Sequence, residues 1–163
     1  WYDLERAAIE AVSHPGQKIT VRNVAYIVKG SFLFCRLPSG RMLTYPYPKL
    51  KPIETPWGEM KEQVHYMAVD SLSNNWEETH AYGGLWAENI TQAVARDILA
   101  EALQRVSNAG YPVTIHIHDE IVAEKPEGGQ WVEHFIGIMK EVPAWAAGLP
   151  IAAEGWQGRR FRK

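Results

Sequence analysis

Apolar residues at helical spacing predict three helices along the chain. Residues 2–12 carry apolar side chains one turn apart, and Pro15-Gly16 predicts a stop soon afterwards because both residues oppose a helix. The strongest helical pattern runs from about residue 85 to 106. A third amphipathic pattern covers residues 131–142. These three segments supply the predicted helical part of the fold.

The two sides of the long helix differ in polarity. One side carries four polar residues: Asp97, Glu101, Gln104 and Arg105. We interpret that side as the solvated face. Gln92 and Arg96 fall on the other side, beside Leu99 and Leu103, and are neighbours because they are four residues apart. They either border the apolar stripe and reach water, or meet a polar ligand.

Extended segments separated by turn signals fill the region between the first two helices. The predicted strands are residues 19–28, 32–37, 42–45 and 63–69. Pro38-Ser39-Gly40 predicts a hairpin turn between the second and third of them. Four prolines between residues 45 and 56 predict a loop, and Asn74-Asn75 predicts a reversal.

Two short β runs in the second half of the chain enclose a polar triplet. Residues 113–117 and 121–123 flank His118-Asp119-Glu120, after a helix stop at Gly110. Residues 149–154 predict a last strand. Repeats and low-complexity tracts do not occur, so the pattern predicts one α+β domain.

Composition narrows the class of protein. A chain of 163 residues with 46% hydrophobic and 22% charged residues can form a core and suits one domain. The net charge of -2 argues weakly against a dedicated nucleic-acid-binding domain. Residues 159–163 hold four cations, which form either a solvated end or a phosphate contact.

The single cysteine and the hydropathy pattern bear on the cellular compartment of the protein. Cys35 alone excludes an intramolecular disulfide and a cysteine-based zinc site, which fits a reducing compartment. Apolar runs stay well short of the ~20 residues of a membrane span, so we expect no membrane partner. The chain begins with Trp1 rather than Met, and we expect it to be part of a longer protein.

The adjacent carboxylates Asp119 and Glu120 are the candidate chemistry. If strand alternation continues from Val113 through Asp119, this carboxylate meets an apolar face, where it needs a partner or stays protonated. A bound Mg²⁺ removes that cost because it prefers oxygen ligands. If the chain turns at the triplet, Asp119 either opens toward a cleft or is an ordinary turn residue. Zinc held by His116, His118 and Glu120 is a further alternative, although the spacing is not that of a known zinc helix.

Three blocks of sequence resemble one enzyme family. Residues 114–124 read Thr-Ile-His-Ile-His-Asp-Glu-Ile-Val-Ala-Glu, and residues 88–97 read Glu-Asn-Ile-Thr-Gln-Ala-Val-Ala-Arg-Asp. Residues 36–41 read Arg-Leu-Pro-Ser-Gly-Arg, with Tyr45-Pro46 beyond. In order and spacing these blocks resemble motif C, the preceding helix and a hairpin of family A DNA polymerases, the bacterial polymerase I and phage group.

The resemblance implies a fold and a reaction. The fold is the antiparallel sheet of the polymerase palm with packed helices, plus an extra N-terminal β-hairpin region. Residues 1–163 correspond to the C-terminal palm portion, and residues 1–29 to the exit from the fingers. The reaction is template-directed DNA synthesis, in which a motif C Asp and a motif A Asp bridge two Mg²⁺ ions during nucleotidyl transfer from dNTP to a primer 3′-hydroxyl.

The resemblance also assigns roles to residues. Asp119 is the metal ligand of motif C, and Glu120 is its acidic neighbour, a weaker or indirect ligand. His118, Gln92 and Asn89 are candidates for contacting DNA near the nascent pair, where minor-groove acceptors report pair geometry rather than sequence. Asn89 departs from the polymerase I pattern by one position.

The same comparison shows what the chain lacks. An Asp-Tyr-Ser-x-Ile-Glu motif A and the nucleotide-binding fingers helix do not occur in these residues. We therefore expect the isolated chain to be inactive, and its partners to be primer-template DNA, dNTP and the remaining polymerase chain with motif A, fingers and thumb. The expected location is a bacterial or phage-infected bacterial cytoplasm. The alternatives are a non-catalytic nucleic-acid-binding module on a palm scaffold, or a metal-dependent hydrolase using Asp119, Glu120 and His118.

Overall fold

The computed structural model describes residues 1–161, which form two compact units. The first unit is Trp1–Ala93 and the second is Val94–Lys163. Arg162 and Lys163, part of the basic C-terminal segment, lie outside the described residues. The described residues contain three α-helices and nine strands, and all strand pairs are antiparallel. The α+β prediction is confirmed, whereas the single domain and the palm identity stay predictions.

The first unit consists of one helix and two antiparallel meanders. Helix α1 (Tyr2–Ser13) confirms the predicted helix. The four-stranded sheet follows the chain order β1 (Ile19–Val21), β2 (Val24–Lys29), β3 (Phe32–Arg36), β4 (Met42–Pro46). The three-stranded sheet follows the order β5 (Lys49–Glu54), β6 (Met60–Val69), β7 (Trp76–Ala81). Helix α2 (Gly83–Asn108) begins in this unit and continues into the second.

Strand β5 shows that the predicted proline loop was wrong. Pro52 lies within β5 and pairs with Glu62 of β6. Strand β5 is at the edge of its sheet, and proline is tolerated at an edge because it need not donate a ladder hydrogen bond there. The predicted run 19–28 is also divided, because the chain turns at Arg22, which has φ +51.

Aromatic side chains form the centre of the first unit. Trp86 is fully buried and meets Tyr26 and Tyr45 edge to face, with ring centroids 5.6 and 4.7 Å apart. Such geometry adds to the gain from apolar burial. Burial raises the pKa of the neighbouring Cys35 thiol to about 11, so this cysteine is a packing residue rather than a nucleophile.

The second unit combines the rest of α2 with a hairpin and a short helix. Strands β8 (Val113–Ile117) and β9 (Glu120–Ala123) precede helix α3 (Val132–Met139) and a 3-10 turn (Ala144–Ala146). Helix α3 ends earlier than predicted. The predicted strand at residues 149–154 is wrong, because no described segment pairs with it and the chain is irregular there.

The side of α2 predicted to be solvated is only partly so, because Gln104 is exposed whereas its other members contact residues of the second unit or are buried. Asp97 is buried, and Glu101 accepts a hydrogen bond from the indole N–H of Trp145. Arg105 donates to the carbonyl of Glu141 at 2.8 Å and to that of Ile138 at 3.4 Å. These carbonyls lie at the end of α3, where helical acceptors lack intrahelical donors. Gln92 and Arg96 are exposed instead.

Gly110 ends α2 in the predicted way. It has φ +78, and its N–H donates to Ser107 while the N–H of Tyr111 donates to Val106. This paired arrangement is the Schellman motif, which glycine favours because it lacks a side chain. Tyr111 and Val106 then join Ile138 in the buried cluster of the second unit. None of the helices in residues 1–161 combines the length and apolarity needed to cross a membrane.

Two glycine substitutions test this account of the second unit. Gly110→Ala places a Cβ at φ +78 and should lower the free energy of unfolding by about 1–2 kcal/mol. Gly137→Ala is the matched control, because a Cβ at this helical position meets nothing within 4 Å. It should raise the free energy of unfolding by about 0.5–1 kcal/mol. Urea denaturation measures the free energy of unfolding of both variants. Equal changes of the same sign would contradict the assignment of Gly110 as a left-handed helix cap.

Candidate functional site

The triplet forms the turn of the β8–β9 hairpin. Ile117 and Glu120 are the last paired residues, so His118 and Asp119 make a two-residue turn. The interpretation in which alternation continues through Asp119 is therefore wrong, and the turn interpretation is confirmed. His118, Asp119 and Glu120 are all exposed.

The backbone at His118 adopts a conformation that is uncommon for residues other than glycine. His118 has φ +52, in the left-handed region. Two-residue hairpin turns normally place Gly, Asn or Asp at such positions. A non-glycine residue held in a sparsely populated conformation costs on the order of 1 kcal/mol, and such residues cluster at functional sites.

A β-bulge lies at the base of the same hairpin. Val113 pairs with Ala123 and Ile115 with Val122, which leaves Thr114 as the extra residue. The Thr114 hydroxyl donates to the Val122 carbonyl at 3.3 Å. Val113 and Ile115 were predicted to share one apolar face. The bulge between them interrupts this alternation, and Ile115 is 47% exposed. Bulges of this kind redirect side chains and are frequent beside active sites.

Aromatic and cationic contacts brace the end of β9, and no pattern in the sequence predicts them. The Lys125 ammonium donates to the Gly110 carbonyl at 2.7 Å. It also lies 4.4 Å from the ring centre of Tyr111 and 4.9 Å from that of Trp131. The Tyr111 hydroxyl is 2.7 Å from Nδ1 of His134. Lys125 thus links the exit of the hairpin to the end of α2 and the start of α3.

The hairpin register decides which metals its residues suit. His116 pairs with Ile121 and Glu120 with Ile117, so His116 and Glu120 lie on opposite faces of the ribbon. Within residues 1–161, no three His, Cys, Asp or Glu side chains converge as a metal site. The zinc alternative therefore has no geometric support. Asp119 and Glu120 offer oxygen ligands suited to Mg²⁺, but only part of a coordination shell.

The two remaining predicted residues lie on α2 in the first unit. Asn89 is half-buried and donates through Nδ2 to the Tyr45 hydroxyl at 3.3 Å. Gln92 is exposed and donates through Nε2 to Glu88 at 3.1 Å. Burial raises the pKa of Tyr45 above its ordinary range, an effect partly offset by the hydrogen bond from Asn89. Asn89 thus contacts the core, whereas Gln92 presents its amide at the surface.

Comparison with known proteins relates the chain to a phage DNA polymerase. No protein-family model matches the chain, and no solved structure matches it. The chain is 39% identical, over all 163 residues, to a DNA polymerase of Bacillus phage SP02. It spans 24% of the length of that protein. Along its whole length, the chain is therefore similar to about a quarter of a phage DNA polymerase.

Proposed function

We propose that this chain is the C-terminal palm segment of a family A, template-directed DNA polymerase, with residues 114–124 as motif C. The observation that carries the proposal is the 39% identity to a phage DNA polymerase across every residue of the chain. Residues 1–29 would then lead from the fingers into the palm. The cytoplasmic location stays a prediction.

The local geometry of the triplet supports a catalytic use. His118 holds φ +52 at a position where two-residue hairpin turns usually have Gly, Asn or Asp. The bulge at Thr114 and the brace at Lys125 fix the two strand ends from which the turn projects. An exposed carboxylate on a supported hairpin is suited to meet groups contributed from outside the chain.

The proposed chemistry divides between metal ions and side chains. Two Mg²⁺ ions, when bound, would activate the primer 3′-hydroxyl and stabilise the leaving pyrophosphate. Asp119 would bind metal directly, and Glu120 would act as a weaker or indirect ligand. His118 and Gln92 would donate to the DNA near the nascent pair. Asn89 is half-buried and already donates one N–H to the Tyr45 hydroxyl, which makes it the least available of the three.

Metal binding needs carboxylates from two motifs, and these residues supply only one of them. Within residues 1–161 no third ligand joins Asp119 and Glu120. We therefore propose that residues 1–163 alone do not incorporate nucleotide and need the remaining polymerase chain, with primer-template DNA and dNTP as substrates. The same observation is the one that favours the second candidate, a non-catalytic nucleic-acid-binding module.

The first test neutralises Asp119 in the full-length protein. Asp119→Asn should lower nucleotide incorporation about 1,000-fold or more, because a metal ligand contributes several kcal/mol to transition-state stabilisation. DNA affinity should remain largely unchanged. Glu133→Gln, which neutralises an exposed carboxylate on α3, is the matched control and should extend primers normally. Near-normal turnover by Asp119→Asn would contradict the metal-ligand assignment, and would favour the non-catalytic module.

The second test concerns the proposed DNA-contacting residues. Gln92→Ala and His118→Ala should each lower the rate of correct incorporation or the discrimination against mismatches about tenfold, the equivalent of one lost hydrogen bond. Gln104→Ala removes another exposed glutamine from the same helix and serves as the control. Single-turnover incorporation of matched and mismatched dNTP measures these effects. An equal loss in Gln104→Ala would show that Gln92 has no special role.

A further inference from the structure

One face of the four-stranded sheet carries exposed aromatic and cationic side chains. Along β3, Leu33 and Cys35 are buried, and the alternating residues Phe32, Phe34 and Arg36 lie on the opposite side. The register places Lys29 beside Phe32. We call these four residues, together with the adjacent Tyr47, the outer face: Lys29, Phe32, Phe34, Arg36 and Tyr47.

The aromatic rings of the outer face form a continuous surface. The ring centres of Phe32 and Phe34 are 6.0 Å apart, and those of Phe32 and Tyr47 are 6.5 Å apart with an interplanar angle of 29°. Phe32 is 41% exposed and Tyr47 is 54% exposed, whereas Phe34 is half-buried. The rings of Phe32 and Tyr47, and part of that of Phe34, are thus available to a ligand.

The backbone of Tyr47 is strained, and a hydrogen bond to Ser31 accompanies this conformation. It has φ +51, which is rare for a bulky residue, and its N–H donates to the Ser31 carbonyl at 2.7 Å. Conformations of this kind cost about 1–3 kcal/mol and persist where the surrounding structure requires them. The strain accompanies the stacking of Tyr47 on Phe32.

The charged residues in the part of the chain that forms this sheet are all positive. Between Glu10 and Glu54 the chain has seven Lys or Arg and no Asp or Glu, while the rest has ten Lys or Arg and all nineteen acidic residues. Lys49 and Lys51 pair with Glu78. In the described part of the chain, no ion pair involves Lys29 or Arg36. This sheet is therefore complementary to a polyanion.

We propose that the outer face binds single-stranded nucleic acid, with bases stacked on Phe32, Phe34 and Tyr47 and phosphates near Lys29 and Arg36. Four-stranded sheets of RNA-recognition motifs stack unpaired bases on surface aromatics in this way, and stacking with backbone charge is the general mode of single-strand binding. The identity of the strand rests on the proposed function, under which it is unpaired template DNA. A second copy of the chain is a poorer occupant, since a two-fold contact would bring the same cations together.

Equilibrium binding of fluorescein-labelled oligothymidylate to the full-length protein tests this proposal. Phe32→Leu keeps an apolar side chain but removes the π surface, and should weaken binding at least about fivefold. Arg36→Gln should weaken binding and reduce the slope of log affinity against log salt by about 0.7. Fluorescence anisotropy at several salt concentrations measures both effects. Far-UV circular dichroism should show unchanged folding, because both side chains are exposed.

Matched controls separate the outer face from general surface effects. Trp57→Leu removes an aromatic side chain that is 85% exposed but lies in the turn between β5 and β6, and it should leave affinity unchanged. Lys140→Gln removes one exposed cation of the second unit and should leave the salt slope unchanged. The proposal would be overturned if Phe32→Leu bound oligothymidylate with wild-type affinity and Arg36→Gln left the slope of log affinity against log salt unchanged. That result is expected if another part of the polypeptide or a second copy covers the face.

Primer extension on a template with a one-nucleotide overhang separates this proposal from the polymerase assignment. If the protein extends primers but Phe32→Leu does not change oligothymidylate binding, the proposed nucleic-acid binding by the outer face is wrong and the polymerase proposal stands. Weakened oligothymidylate binding by Phe32→Leu in a protein that extends no primer would do the reverse.

Discussion

A two-stranded hairpin is barely stable in water, so the β8–β9 hairpin depends on what packs at its base. That base is the cluster of Val106, Tyr111 and Ile138, which Gly110 makes possible by turning the chain out of α2. Lys125 closes the arrangement by binding the Gly110 carbonyl and the faces of Tyr111 and Trp131. The position of the carboxylates is thus set at the opposite end of the hairpin from the turn that carries them.

Several polar side chains of this chain have a structural role. Arg105 donates to carbonyls at and beyond the end of α3, and Glu101 accepts from Trp145, so charged residues contribute to the packing of the second unit. Asn89 similarly donates to Tyr45 in the first unit. The residues with the strongest functional expectation, His118, Asp119 and Gln92, are by contrast exposed. Exposure separates the side chains that hold the fold from those available to a substrate.

Local sequence predicted the elements whose causes are local. Helical spacing predicted α1 and α2. Gly110 predicted the end of α2, because glycine lacks a Cβ and adopts a left-handed φ readily. Errors arose where a distant partner decides the outcome. Pro52 is in a strand because β6 pairs with it, and Arg105 on the polar side of α2 is packed because carbonyls at and beyond the end of α3 accept its hydrogen bonds.

The candidate site was predictable to the same extent. Asp119 and Glu120 are candidates on the strength of their motif and stay a prediction, and the turn that carries them was ambiguous because His118-Asp119 lacks the usual Asn-Gly signal. The bulge at Thr114 depends on pairing with β9, and the contacts of Lys125 depend on aromatic residues far away in sequence. Neither leaves a periodic pattern that could have been recognised beforehand.

Under the proposed function, Asp119 binds a catalytic metal ion in a polymerase palm. Diffraction at the manganese absorption edge, from crystals of the full-length protein with primer-template, dNTP and Mn²⁺, tests this role. We expect an anomalous peak at bonding distance from a carboxylate oxygen of Asp119, next to the primer terminus. Manganese peaks coordinated only by other residues, with Asp119 facing solvent away from the primer terminus, would contradict it.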